Sequence, residues 1–128
     1  MNWLSIEEIY DIHQAIIKRA GTKASVRDFT LLHSATERPR ASYNGLHLYP
    51  TIFLKAAALL YSLCMNHPFT DGNKRTAYSS AHRFLWINGY HLSANTTEII
   101  EFMVSVDNQK PDIRQISSWL KSHSTIIN

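Results

Sequence analysis

The sequence predicts an all-α chain of about six helices with a small β-hairpin ahead of a central buried helix. Three observations predict this. Apolar residues recur at helical spacing through most of the chain. One stretch, Ile52–Met65, is apolar on nearly every face, as a helix at the centre of a fold must be. Asn44-Gly45, between short β-compatible stretches, is the signature of a two-residue hairpin turn. With 128 residues and no linker, repeat or low-complexity tract, residues 1–128 are expected to form a single domain.

Each element has a local reason. Ser5 caps a first helix that opens on Glu7 and Glu8 and ends at Gly21, with an apolar face of Ile6, Ile9, Tyr10, His13 and Ile17. A second, short helix is expected from after Ser25 to about Ala35, through Phe29, Leu31 and Leu32. Residues 37–49 break the helical pattern and carry the hairpin. Pro50 is expected to open the buried central helix, which leads directly to His67. A further helix carries Ala77, Ala81, Phe84 and Leu85 and stops at Gly89. Thr96 or Thr97 is expected to cap the next one, with Ile99, Ile100, Met103 and Val106. Pro111 stands at the start of the last, with Ile113, Ile116, Trp119 and Leu120.

Composition excludes several classes. Hydrophobic residues make up 45% and charged residues 18%, which argues against disorder. The longest apolar run, around Ala56–Leu60, is too short to span a membrane, and Met1–Glu8 shows no signal-peptide pattern. The lone Cys64 excludes an internal disulfide, fits a cytoplasmic location, and reads as an inert core thiol. The net charge is +3, but its distribution says more. Between Arg38 and Thr97 the only acidic residue is Asp71, set against Arg38, Arg40, Lys55, Lys74, Arg75 and Arg83. A basic middle favours an anionic partner, nucleotide or nucleic acid.

Residues 67–75, His-Pro-Phe-Thr-Asp-Gly-Asn-Lys-Arg, carry the chemistry. Histidine is the side chain suited to moving a proton near neutral pH, and Pro68 ends the preceding helix so that the imidazole of His67 is exposed. Phe69 reads as a buried anchor for the loop. Asp71 suits either a helix N-cap or a hard cation such as Mg²⁺. Gly72 and Asn73 suit a plain turn or an anion-binding one. Lys74 and Arg75 sit unfavourably in a first helical turn, where the dipole is positive, and this mismatch points to a bound anion. The other histidines point less clearly: His13 reads as a core-edge residue, while His33, His82, His91 and His123 lack metal-ligand spacing. His47, on the hairpin, is a weaker candidate for touching substrate.

The run from His67 through Phe69, Asp71, Gly72, Asn73 and Lys74 to Arg75 resembles the signature of the Fic/Doc proteins, and of their death-on-curing (Doc) branch in particular. The hairpin, the helical pattern and the chain length extend the resemblance over nearly the whole sequence. It implies a Fic/Doc-like helical bundle with the hairpin as a flap. The larger Fic branch transfers AMP from ATP to a protein hydroxyl, and its motif has glycine at the position of Lys74 and arginine at that of Tyr78. Lysine before the arginine is the Doc form, which transfers the γ-phosphate of ATP to a threonine of the translation factor EF-Tu and arrests protein synthesis. Ser79 departs from the asparagine of a Doc toxin.

By resemblance, His67 is the base, Asp71 holds Mg²⁺, and Gly72, Asn73, Lys74 and Arg75 bind the phosphates of ATP. The flap, Arg40, Ser42, Tyr43, Asn44, Gly45 and Leu46, aligns the target segment by strand-like pairing. The chain lacks the family's inhibitory Ser/Thr-x-x-x-Glu-Gly or -Asn motif, so a separate antitoxin protein is expected to supply an inhibitory helix. AMP transfer is the alternative activity. A nucleic-acid-directed toxin is a further one, disfavoured because aromatics are not interleaved with the basic residues. An inactive module that kept the fold is disfavoured by the intact motif.

Overall fold

Ten of the fifteen residues of α3 (Ile52–Asn66) are buried, and this helix is the axis around which the chain folds. The computed structural model describes residues 1–128. Five more helices surround α3: α1 (Ile6–Ala20), α2 (Phe29–Glu37), α4 (Asn73–Ile87), α5 (Thr96–Gln109) and α6 (Ile113–Ser122). The most extensive packing is of α3 on α4 and α6, with α2 and α5 also against α3 and α1 against α4. All six helices share one core of 22 buried residues, which includes Ile9, Leu32, Leu60, Phe84, Val106 and Ile116. Long apolar helices bury their stripes against a common partner because none can hide its apolar face alone.

The expected hairpin is present: β1 (Ser42–Tyr43) pairs antiparallel with β2 (Leu46–His47), Ser42 opposite His47 and Tyr43 opposite Leu46. Asn44 and Gly45 both have positive φ (52° and 77°), as a two-residue hairpin turn requires. A second sheet departs from the expectation of a single hairpin. β3 (Tyr90–Leu92) pairs with β4 (Ser124–Ile126), which brings the C-terminal residues back to the end of α4. Three-residue strands 34 residues apart, from Tyr90 to Ser124, leave no periodic signal in the sequence.

Four boundaries also move, each toward a better cap. Asp28, not Ser25, caps α2 by accepting from Leu31 N, because residues 25–28 are engaged elsewhere. Thr51, not Pro50, caps α3. Asn95, with Glu98 reaching back, forms a capping box on α5 in place of Thr96 or Thr97. Asp112 with Gln115 does the same on α6, which places Pro111 just outside the helix.

Two cations assigned to the basic middle, the buried Lys55 and the half-buried Arg38, are engaged by partners within the protein instead. Lys55 is 3% exposed, its Nζ donates to the carbonyl of Tyr49, and burial lowers its pKa. Arg38 donates to the Tyr49 hydroxyl and to Ser62 Oγ, both at 2.9 Å, and lies over the rings of Tyr49 and Tyr61. Together they fasten the base of the hairpin to α3. The spacing shows the charge but not its burial. Cys64 is fully buried, as expected of an inert thiol, and burial, reinforced by the Asp107 carboxylate, pushes its pKa up to about 11.

Candidate active site

The turn between α3 and α4 is held on both sides. His67 is the C-cap of α3 and sits in the left-handed region (φ 48°, ψ 56°), which a residue with a Cβ seldom adopts. The side chain of Arg27, before α2, donates from Nε to the His67 carbonyl at 2.7 Å and from Nη2 to the Asn66 carbonyl at 2.9 Å. The amides of Arg27 and Asp28 both donate to the Pro68 carbonyl, at 2.7 and 3.1 Å. Val26 forms a strand-like bridge with Phe69, and Thr70 N donates to the Ser25 carbonyl. The segment read as the start of a helix is therefore a strap across the motif.

Phe69 is 1% exposed and anchors the loop in the core, as expected. Asn73 closes the loop from the other side: its Oδ1 accepts from Phe69 N and its Nδ2 donates to Phe69 O, at 3.0 and 2.9 Å. Its side chain is committed to the turn, which leaves only its backbone N–H to meet an anion. Asp71 is not the N-cap of α4. Its Oδ1 accepts from Gly72 N at 2.8 Å, and Gly72 itself occupies the cap position.

That cap sets α4 apart. A side-chain oxygen caps each of the other five α-helices, whereas Gly72 supplies none. The first backbone N–H groups of α4 are left without a capping acceptor, at the positive end of the helix dipole. Gly72 has φ 80°, and a Cβ there would lie 3.0 Å from Ile17 Cδ1, so the turn needs glycine for both conformation and space.

A cleft of about 820 Å³ opens over this helix end, between the 67–75 turn and residues Ile16, Ile17 and Ala20 of α1. His67 and Asp71 line it, and so do the three cations Arg27, Lys74 and Arg75, leaving Asp71 as its only carboxylate. Arg75 and Ser79, one helical turn apart, also border a smaller adjoining cavity of about 260 Å³ with Arg19. Lys74 and Tyr78 take the neighbouring face. Lys74 Nζ pairs with Asp107 of α5 at 3.2 Å, and the Tyr78 ring meets Trp119 of α6 edge-on. The dipole mismatch at Lys74 thus has a partial answer inside the protein, while Arg75 forms no ion pair. Burial, reinforced by Glu98, raises the Tyr78 phenol to about 12, so it stays neutral.

No group of three or more His, Cys, Asp or Glu side chains is gathered anywhere in the chain. A cation bound at Asp71 would therefore depend on ligand oxygens and water, the usual habit of Mg²⁺ beside phosphates. One exposed carboxylate next to an open helix N-terminus fits that arrangement.

His13, read as a core-edge residue, proves fully buried and part of the site's foundation. Its ring stacks on Phe69, with centroids 3.7 Å apart and planes 7° from parallel. Nε2 donates to the Asp71 carbonyl at 2.9 Å, and Gln14 Nε2 donates to Nδ1 at 3.2 Å, which requires the neutral ring. Burial lowers its pKa, against the pull of the Asp71 carbonyl and carboxylate. Below the ordinary value of 6.5 the unfolded chain binds a proton that the folded one refuses, so stability falls with pH from there down to the lowered folded pKa. His82, also lowered by burial and by His91, adds in the same direction. Denaturation between pH 7 and 5 is expected to show this loss, with a shallower slope in His13→Gln. An unchanged slope in that variant would assign the loss to other groups.

The hairpin residues Arg40, Ser42, Tyr43, Asn44, Gly45 and Leu46 do not line the cleft, and neither does His47. Tyr43 and Leu46 are 72% and 73% exposed. The residues missed from the sequence are Arg27, which lies outside any motif, and His13, whose place on an apolar face concealed its polar partners.

The site is thus an uncapped helix N-terminus with a histidine and a carboxylate lining the cleft above it. A model of the Fic/DOC family matches residues 3–85, so the chain belongs to that family. Over 75 residues it is 51% identical to Toxin Doc of Mycolicibacterium smegmatis (strain ATCC 700084 / mc(2)155). That match covers 59% of this chain and spans 58% of the relative's length. Over 123 residues, 94% of each chain, it is 27% identical to Protein kinase doc of Escherichia phage P1. The likeness thus lies with the Doc branch and with an enzyme of the Fic/Doc type.

Proposed function

We propose that residues 1–128 act as one Doc-type domain that transfers the γ-phosphate of ATP to a protein hydroxyl. The observation that carries this reading is the uncapped N-terminus of α4 in a cleft with three cations and one carboxylate. Backbone N–H groups of Asn73, Lys74 and Arg75 hold phosphate oxygens, and the Lys74 and Arg75 side chains add charge from two faces of the helix. Asp71 holds Mg²⁺, which supplies charge neutralisation to the phosphates when bound. His67 accepts the proton of the target hydroxyl as its oxygen bonds to the γ-phosphorus and the bond to ADP breaks. The work is largely positioning and electrostatics, which suits a small, rigid turn.

The relatives' names support a toxin with a cognate antitoxin, which we infer supplies the missing inhibitory helix. We infer a threonine of EF-Tu as target, presented along the exposed β1–β2 hairpin, and arrested translation as the outcome. No helix is long and apolar enough to cross a membrane; the target is sought among cytoplasmic proteins. Position 78, facing Trp119, offers no arginine to hold the β- and γ-phosphates as the AMP-transferring branch does, which favours phosphate over AMP transfer.

The test uses ATP labelled separately at the α- and γ-phosphates, incubated with the protein and EF-Tu or lysate. Label moving from γ alone is the expected result. Label moving from α makes the protein an AMP transferase, and transfer from neither, with His67→Ala as toxic as the parent, overturns both enzyme readings. Salt-sensitive binding to RNA would then favour a nucleic-acid target.

A further inference from the structure

We propose that Arg27 is the positioning residue for His67, an inference that rests on His67 acting as the base. Three successive carbonyls, Asn66, His67 and Pro68, end α3 without intrahelical partners. Arg27 takes all three: its Nη2 and Nε reach the first two, and its amide reaches the third. The guanidinium lines the cleft beside His67 yet pairs with no carboxylate; its fork is given to the backbone of the base. This matters because His67 holds a left-handed conformation that its Cβ disfavours, so its carbonyl must be tied down to keep the imidazole at one place in the cleft.

A planar fork can satisfy two adjacent carbonyls at once, which a lysine ammonium on a flexible stem cannot reproduce. The strap itself does not depend on the side chain. Arg27 N to Pro68 O, Thr70 N to Ser25 O, and Ser25 N to Thr70 Oγ1 at 3.1 Å are all independent of the guanidinium. Substitution at Arg27 is therefore expected to leave the fold and the Phe69 anchor in place while loosening His67.

The experiment compares Arg27→Lys and Arg27→Gln with the parent. The ¹³Cα and ¹³Cβ resonances of His67 report its positive φ, and steady-state transfer from γ-labelled ATP reports its action. Both variants should lose the left-handed signature at His67 while Phe69 and α4 resonances stay native. Misplacing a catalytic base by an ångström costs about 10²-fold, so kcat is expected to fall by about 10–100-fold. KM for ATP should hold in Arg27→Lys, which keeps the charge, and rise in Arg27→Gln. An intact His67 signature in both variants overturns the proposal, as does a lost signature with unchanged kcat. A parent that transfers nothing from ATP refutes the proposed function, and the resonances alone then decide whether Arg27 holds His67.

Discussion

Replacing His67 with alanine is expected to lower phosphoryl transfer by about 10²–10⁴-fold, the usual contribution of a positioned general base. The imidazole is exposed and lines the cleft, and it packs into no part of the core. Stability should accordingly change by no more than about 0.5 kcal/mol, as for most surface substitutions. Backbone N–H groups and the charges of Lys74 and Arg75 remain in the variant, so ATP binding should persist. Calorimetric titration of ATP beside a transfer assay separates these effects. Transfer at the parental rate would remove His67 from the chemistry, whereas lost ATP binding would make it a nucleotide contact.

The largest effect on stability is expected at Phe69. Its side chain is 1% exposed, stacks on the neutral His13 ring, and ties the motif loop to the core shared by α1, α3 and α4. Phe69→Ala is expected to cost about 3–5 kcal/mol, the range for removing a buried aromatic side chain and leaving a cavity. Because the cavity lies directly beneath the turn, the variant should also lose activity under conditions where it is still folded. Chemical denaturation monitored by circular dichroism measures the first effect. A loss below about 1 kcal/mol would mean that the loop collapses onto the space and that Phe69 is no anchor.

The helices were legible because each carries its own signals. Ser5 with Glu8, Gly21, Gly89 and the apolar run of α3 act over a few residues, and their effect survives any tertiary arrangement. The second sheet was not legible, because Tyr90–Leu92 and Ser124–Ile126 are strands only in each other's company. The strap at residues 25–28 stayed hidden for a similar reason. Its backbone pairs with residues 68–70, and no spacing within either segment records the other.

By itself the sequence determined an all-helical bundle with a hairpin and one motif holding a base, a carboxylate, a glycine turn and two cations. Those are properties of neighbours in the chain, set by propensity, capping and local charge. Only the tertiary structure decided what each charge faces. Lys55 and Arg38 turn inward to fasten the hairpin, Lys74 reaches Asp107, and Arg75 stays free beside the cleft. Folding also recruited His13 and Arg27, from 54 and 40 residues before His67, to support the motif from below and behind. The reason is physical: burial and hydrogen-bond partners arise from contacts between distant segments, and these form only when the helices pack.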